Sequence, residues 1–527
     1  MCRDLLAITG CFLVLTLAYW LGVRLVAGQV GFPLDDAYIH LQFARNLFED
    51  GQMAFNRGVP SSGCTAPLYP VLLAGVYALV RDWYLASAVL GGLCGVATAW
   101  VVYALLHAWT GRRNLARAGG LLAVLINPTV LGAYSGMETP VYTLLLLVGL
   151  WWYAAPRRRV WATVALALCV WVRPEFVILL PLVALERAVA AYRAPRRRLV
   201  RFAADFWPHA CIWALVLAAY CAYHWHQDRH LLPTTFGAKA VALGGLPIAY
   251  FNGLPAAIAR GGVVRVLLAL TVWPLLLLLS VGIGLALNCA PLAFGLREAA
   301  LAAWRDTSPS AAGRRLALIV FLAYPPARAL VDPGTLFWYQ FQRYYAHLSF
   351  VLIVLVLAAV PVTGALVCRP FWNWTGVPLP VQLRRALAWA CPALVIRLAF
   401  AVVAVSNINT MQVHLGEWVR DHTAPGELVA TNDIGAIAFI SRRPVLDTVG
   451  LVEPQLVSHY LHGGNLLDYL RQRNPAYVIL FPNWYTELTQ RTDVLERVSS
   501  VALKWNVICG GPELVVYRPR WGTPPKP

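Results

Sequence analysis

Asp35 and Asp36 stand side by side directly after the first apolar run of the chain. Adjacent carboxylates at a membrane edge repel one another and meet a lowered dielectric, so they need a reason to be there. One reason is chemical: a carboxylate can accept the proton of an attacking hydroxyl while its neighbour orients the acceptor or holds a cation. The other is structural, because Asp favours the N-cap of a helix and Ile39 to Phe48 has helical periodicity. Glu138, just ahead of another apolar run, carries two comparable readings. It is an acid complementing a helix N-terminus, or it joins the aspartates in binding acceptor or metal.

Cationic groups for an anionic leaving group are also present. Lys239 is the only lysine before Lys504 and follows Pro233 and Gly237, a placement that suits either a phosphate or a snorkelling interfacial side chain. Arg343 lies beside Tyr339, Tyr344 and Tyr345. Interfacial aromatics account for the tyrosines but not for an arginine on the outer side, so Arg343 is a second phosphate candidate. Arg173 and Glu175 close a short apolar segment, at its outer edge or within the membrane. His224, His226 and His230 fix no third ligand by their spacing and read as a polar loop rather than zinc.

The elements that must position these residues are membrane helices. Of 527 residues, 59% are hydrophobic and only 13% charged, and long apolar stretches recur, among them Leu5 to Ala27, Tyr84 to Ala108, Val264 to Leu287, Leu348 to Leu366 and Arg385 to Val405. Each is near the roughly 20 residues that span a hydrocarbon core. The net charge of +18 is dispersed in short arginine clusters between these stretches, a topology signal rather than a nucleic-acid surface. All clusters fall in the cytoplasm together if Ala66 to Val80, at about 15 residues, is interfacial or re-entrant. The result is about eleven spans with the N-terminus inside and the C-terminus outside. Four outer segments then hold the polar chemistry: Gly28 to Val80, Asn127 to Thr139, His224 to Gly262 and Asp332 to His347.

Composition changes after about Ser406. Gln412 to Asp421 and Asn465 to Arg473 have helical spacing, while Leu428 to Thr431 and Tyr477 to Phe481 read as buried strands. The expected architecture is a mainly α-helical polytopic membrane part over 1–410 and an extracytoplasmic α/β domain over 411–527. Asp433 and Asp447 flank turns and read as structural. Most cysteines read as buried hydrophobes; only Cys64 and Cys509 fall in outer regions, where one disulfide is conceivable.

The long first outer loop resembles that of bacterial GT-C transferases related to the cell-wall arabinofuranosyltransferases. The resemblance rests on Asp35 to Ile39, Arg45 to Leu47, Asn56 and Gly63 to Leu68, and continues in Ser135 to Thr139, Arg173 to Glu175, Leu232 to Lys239 and Arg343 to Tyr345. Asp433 to Ala436 and Asp447 to Leu451 resemble the extramembrane domain of many such proteins. The departure is Ser61 to Ala66, where relatives more often carry an acidic or aromatic residue and an Asn.

The resemblance implies a GT-C-like fold in an inner or plasma membrane, with the active site outside. It implies an inverting transfer of a hexose or pentose from a polyprenyl-phosphate carrier to a glycan, lipid or protein. Asp35 and Asp36 would be catalytic, and Glu138, Arg173, Glu175, Lys239, Arg343 and Tyr344 would bind substrate. No nucleic-acid partner is expected, no cofactor is certain, and a divalent metal is left open. The rival classes are a lipid-linked-sugar flippase and a non-catalytic assembly protein. Against transport stand the lack of an inverted repeat and the gathering of carboxylates on one face.

Overall fold

The computed structural model describes residues 1–193, 198–235, 279, 296–306, 308, 310–331, 340, 343–359 and 381–521. Among the described residues four helices are long and apolar enough to cross a membrane: Cys2–Val26, Trp83–Thr110, Leu199–Asp228 and Cys391–His422. Val264 to Leu287, apart from Leu279, and Lys239 lie outside the described residues, and the count of about eleven spans stays an expectation. Local chemistry sets the helix ends. The Trp83–Thr110 helix starts where the Asp82 carboxylate accepts the Leu85 N–H at 2.7 Å, and it stops at Gly111 with φ 67°. Within it, a Cβ on Gly91 would lie 1.8 Å from the Ala133 carbonyl oxygen, so only glycine permits this approach of the two segments.

The run expected to lie along the interface forms the helix Leu68–Val80. Its 13 residues reach about 20 Å, short of a bilayer core, and it buries Tyr69 and Leu73 against the helix Asp36–Asp50.

The C-terminal part builds a five-stranded sheet from β1 (Val429–Thr431), β2 (Val445–Asp447), β3 (Tyr477–Leu480), β4 (Leu495–Ala502) and β5 (Glu513–Pro519). The order is β2-β1-β3-β5-β4; β1 runs parallel to β2 and β3, while β5 runs antiparallel to β3 and β4. The parallel connections pass through helices, Gly435–Ser441 leading from β1 to β2 and Pro454–Leu461 and Leu466–Arg473 leading from β2 to β3. The sequence shows β1, β3 and the helix Leu466–Arg473, but not β2, β5 or the helices Gly435–Ser441 and Pro454–Leu461. It misses β4, whose burial is mostly intermediate or exposed and gives no clear apolar signal.

This sheet unit is bolted to the first outer loop by residues of the sequence motif. Asn56 donates to the Val445 carbonyl at 2.8 Å and accepts the Val445 N–H at 2.9 Å, extending the sheet edge onto the loop. Arg45 donates to the Phe439 carbonyl at 2.7 Å. The Asp35 carboxylate accepts the N–H groups of Gly435 (2.8 Å) and Ala436 (2.7 Å). A Cβ on Gly435 would sit 2.1 Å from the Asp35 carbonyl oxygen, which explains a glycine at the start of that helix.

Candidate functional site

Between the membrane helices and the sheet unit lies a cavity of about 370 Å³. Every outer segment singled out in the sequence is represented at its wall or just behind it: the first by Asp35 and Asp36, the second by Glu138 behind it, the third by Thr235 and the fourth by Arg343 and Tyr344. The structure thus brings Asp35, Asp36, Glu138, Arg173, Glu175, Arg343 and Tyr344 together.

Their roles differ. Asp36, at the first turn of the helix Asp36–Asp50, turns its side chain to the cavity with 38% exposure and accepts from Arg343 at 2.5 Å and Gln340 at 3.5 Å. Asp35 instead has both oxygens committed to the helix start of the sheet unit. It is an N-cap, as one sequence reading had it, but for a helix 400 residues away. Glu138 is buried and forms the hub of an ion network: it bonds Arg173, lies 3.0 Å from His40 and 3.6 Å from Arg343. Burial opposes its ionisation, but Arg343, Arg173 and His40 outweigh burial and hold its carboxyl well below the ordinary value. Arg173 also bonds Glu175 at 2.6 Å, and the Tyr344 ring carries the guanidinium groups of Arg173 at 4.2 Å and Arg328 at 4.7 Å on its π system.

Several cavity residues escaped the sequence reading. Arg328 had a legible signal: it lies in the helix Ala311–Val331 at the end opposite Arg314 and Arg315, so a rule that gathers arginines on one side cannot account for it. Asp433, read as structural, lines the cavity, whereas Asp447 fulfils that reading by accepting the N–H groups of Val449 (2.9 Å) and Val452 (3.0 Å). Cys64 and Cys509 both line the cavity as free thiols. His224 is buried among aromatic rings, and among the described residues no three His, Cys, Asp or Glu side chains converge as a metal cluster. Asp36 is paired with Arg343, and no step below uses a metal ion.

Asp433 faces Asp35 and Asp36, and Gln412 donates to its Oδ2 at 2.7 Å. Burial, opposed by the Gln412 bond and aided by Asp36, pushes its carboxyl up to about 6. A folded-state value above the ordinary 3.8 means that this group's stabilising contribution is full below 3.8 and is lost as pH rises through about 6. Melting temperature in detergent should therefore fall between pH 4 and pH 6.5 or so, and Asp433→Asn should remove part of that fall. An identical pH profile in the variant would contradict the placement.

A sequence profile described as "Domain of unknown function (DUF8728)" matches residues 406–517. No curated protein sequence matches the chain. Among solved structures, the chain is similar to the archaeal oligosaccharyltransferase AglB from Archaeoglobus fulgidus in complex with an inhibitory peptide and a dolichol-phosphate. The TM-score is 0.53 at 12% identity, covering 89% of this chain and 69% of that one. The Archaeoglobus fulgidus oligosaccharyltransferase complex with Zn and sulfate gives 0.52 at 14% identity over 96% and 75%. ArnT from Cupriavidus metallidurans bound to undecaprenyl phosphate gives 0.46 at 13% identity over 96% and 97%. These proteins are glycosyltransferases of the GT-C superfamily. At this identity the oligosaccharyltransferase matches show a shared fold alone, and the reaction of this chain has to be argued from the cavity.

Proposed function

We propose that this chain is an inverting glycosyltransferase that moves a sugar from a polyprenyl-phosphate carrier to an extracytoplasmic glycan, lipid or protein. Residues 1–410 form the membrane-embedded catalytic part and 411–527 the outward α/β part. The observation that carries this reading is the pairing, in one cavity, of a partly exposed carboxylate with a cluster of buried guanidinium groups. A flippase for the same anionic carrier would use the guanidinium groups but has no hydroxyl proton for the carboxylate to accept.

In this scheme Asp36 takes the proton of the acceptor hydroxyl while the oxygen of that hydroxyl bonds to the anomeric carbon, and the bond from that carbon to the phosphate oxygen breaks. The departing polyprenyl phosphate keeps the electron pair, and Arg343 stabilises its charge, with Arg173 and Arg328 behind it on Tyr344. Lys239 is a further donor-binding candidate.

Purified protein supplied with polyprenyl-phosphate pentoses and hexoses should release polyprenyl phosphate and form a glycoside of inverted configuration. Movement of intact donor across a bilayer without cleavage would replace this reading with transport.

A further inference from the structure

We propose that the sheet-unit wall of the cavity is an acceptor subsite for carbohydrate, with the Trp484 ring as stacking platform and Asn432 and Asp433 fixing hydroxyls of the sugar opposite Asp36. The inference rests on the transferase reading and deepens it, because it selects a glycan from the three acceptor classes.

The first support is position. Asn432 and Asp433 follow the C-terminal end of β1, Val449 and Leu451 follow that of β2, and Trp484 follows that of β3; all line the cavity. The order β2-β1-β3 places β1 in the middle, and the chain leaves it first for one neighbour and then crosses to the other. In open parallel sheets ligands bind in the crevice at the carboxyl ends of the strands, at such a switch point. Here that crevice opens onto Asp36.

The second support is the state of the polar groups. Asn432 is 5% exposed, and its Oδ1 accepts the Phe481 N–H at 3.2 Å, which fixes the amide, yet its Nδ2 has no partner. A buried donor left unpaired costs about 1–3 kcal/mol, so a ligand oxygen has a ready place there. Next to it Asp433 uses only Oδ2, for Gln412, and among the described residues Oδ1 accepts nothing. A donor and an acceptor side by side match the dual character of a sugar hydroxyl.

The third is Trp484. It is 49% exposed although its indole N–H is satisfied by the Gly510 carbonyl at 2.9 Å. Its edge is held against Phe481 and against Gly510, where a Cβ would come within 2.6 Å of the ring. What remains open is apolar ring surface in a fixed orientation, which suits the C–H face of a pyranose or furanose. A lipid tail would leave Asn432 and Asp433 unpaired.

The test uses the full chain in detergent, with neutral tri- to pentasaccharides of hexoses and of pentoses as one set of probes and undecaprenyl phosphate as the other. Wild type should bind at least one saccharide. Trp484→Ala should weaken that binding tenfold or more, Trp484→Phe should keep most of it and Asn432→Ala should weaken it several-fold, all with unchanged affinity for undecaprenyl phosphate. Absence of saccharide binding overturns the subsite, as does saccharide binding that ignores all three changes. Cleavage of sugar donors to water is scored in parallel without any acceptor. Cleavage without saccharide binding overturns the subsite alone, whereas Trp484-dependent saccharide binding with no cleavage of any donor overturns the transferase reading.

Discussion

Asp36→Asn is expected to reduce transfer by about 10²- to 10⁴-fold, the range for loss of a general base, with donor affinity and melting temperature near those of wild type. Asn keeps the size of the side chain and an oxygen that accepts from Arg343, and Arg343 retains Gln340 at 2.6 Å and Glu138 at 3.6 Å, so the fold has little to lose. Asp35→Asn is expected to behave in the opposite way. Its two oxygens each take a backbone N–H, and an amide would turn one NH₂ group against a donor. Losing half of such a cap costs about 0.5–2 kcal/mol, which here would loosen the sheet unit from the membrane helices. Protease sensitivity of the C-terminal part and melting temperature report on that; single-turnover transfer at low temperature separates it from chemistry. A larger catalytic loss for Asp35→Asn at unchanged stability would exchange the two roles.

Which aspartate does what was not legible in the sequence, and the reason is physical. Neighbours on a helix start differ by about 100° in direction, and only the packing of a segment 400 residues away decides which points inward. The same holds for Arg45 and Asn56, which look like parts of a catalytic motif and turn out to hold the sheet unit in place. Long apolar helices and β1 and β3 were legible because each is written in a continuous run of apolar residues, and the outer loops only as the polar segments between such runs. Asp433 was not, because an Asp after a strand is common for backbone reasons, and its part in the cavity depends on docking between elements distant in the chain. Glu138 was legible as an unusual acid, but its two readings could be separated only by its partners.

Those partners make Glu138→Gln the change with the largest expected effect on stability. Glu138 is 2% exposed and stands between Arg173 and Arg343, both buried, with His40 at 3.0 Å. Removing one member of a buried charge cluster leaves its counterions without compensation and costs about 3–5 kcal/mol, a large share of the 5–15 kcal/mol that holds an ordinary domain together. The variant should melt well below wild type in detergent. The charge argument can be separated from mere loss of shape by a double change. Arg173→Gln alone should also destabilise, while Glu175 keeps Arg328 at 3.9 Å. The pair Glu138→Gln with Arg173→Gln should then be more stable than the sum of the single losses predicts, with a coupling of about 1–3 kcal/mol. If Glu138 instead served only to bind acceptor, Glu138→Gln would melt like wild type and raise the acceptor requirement, and the double variant would show no coupling. The measured coupling decides whether this acid builds the cavity or touches what enters it.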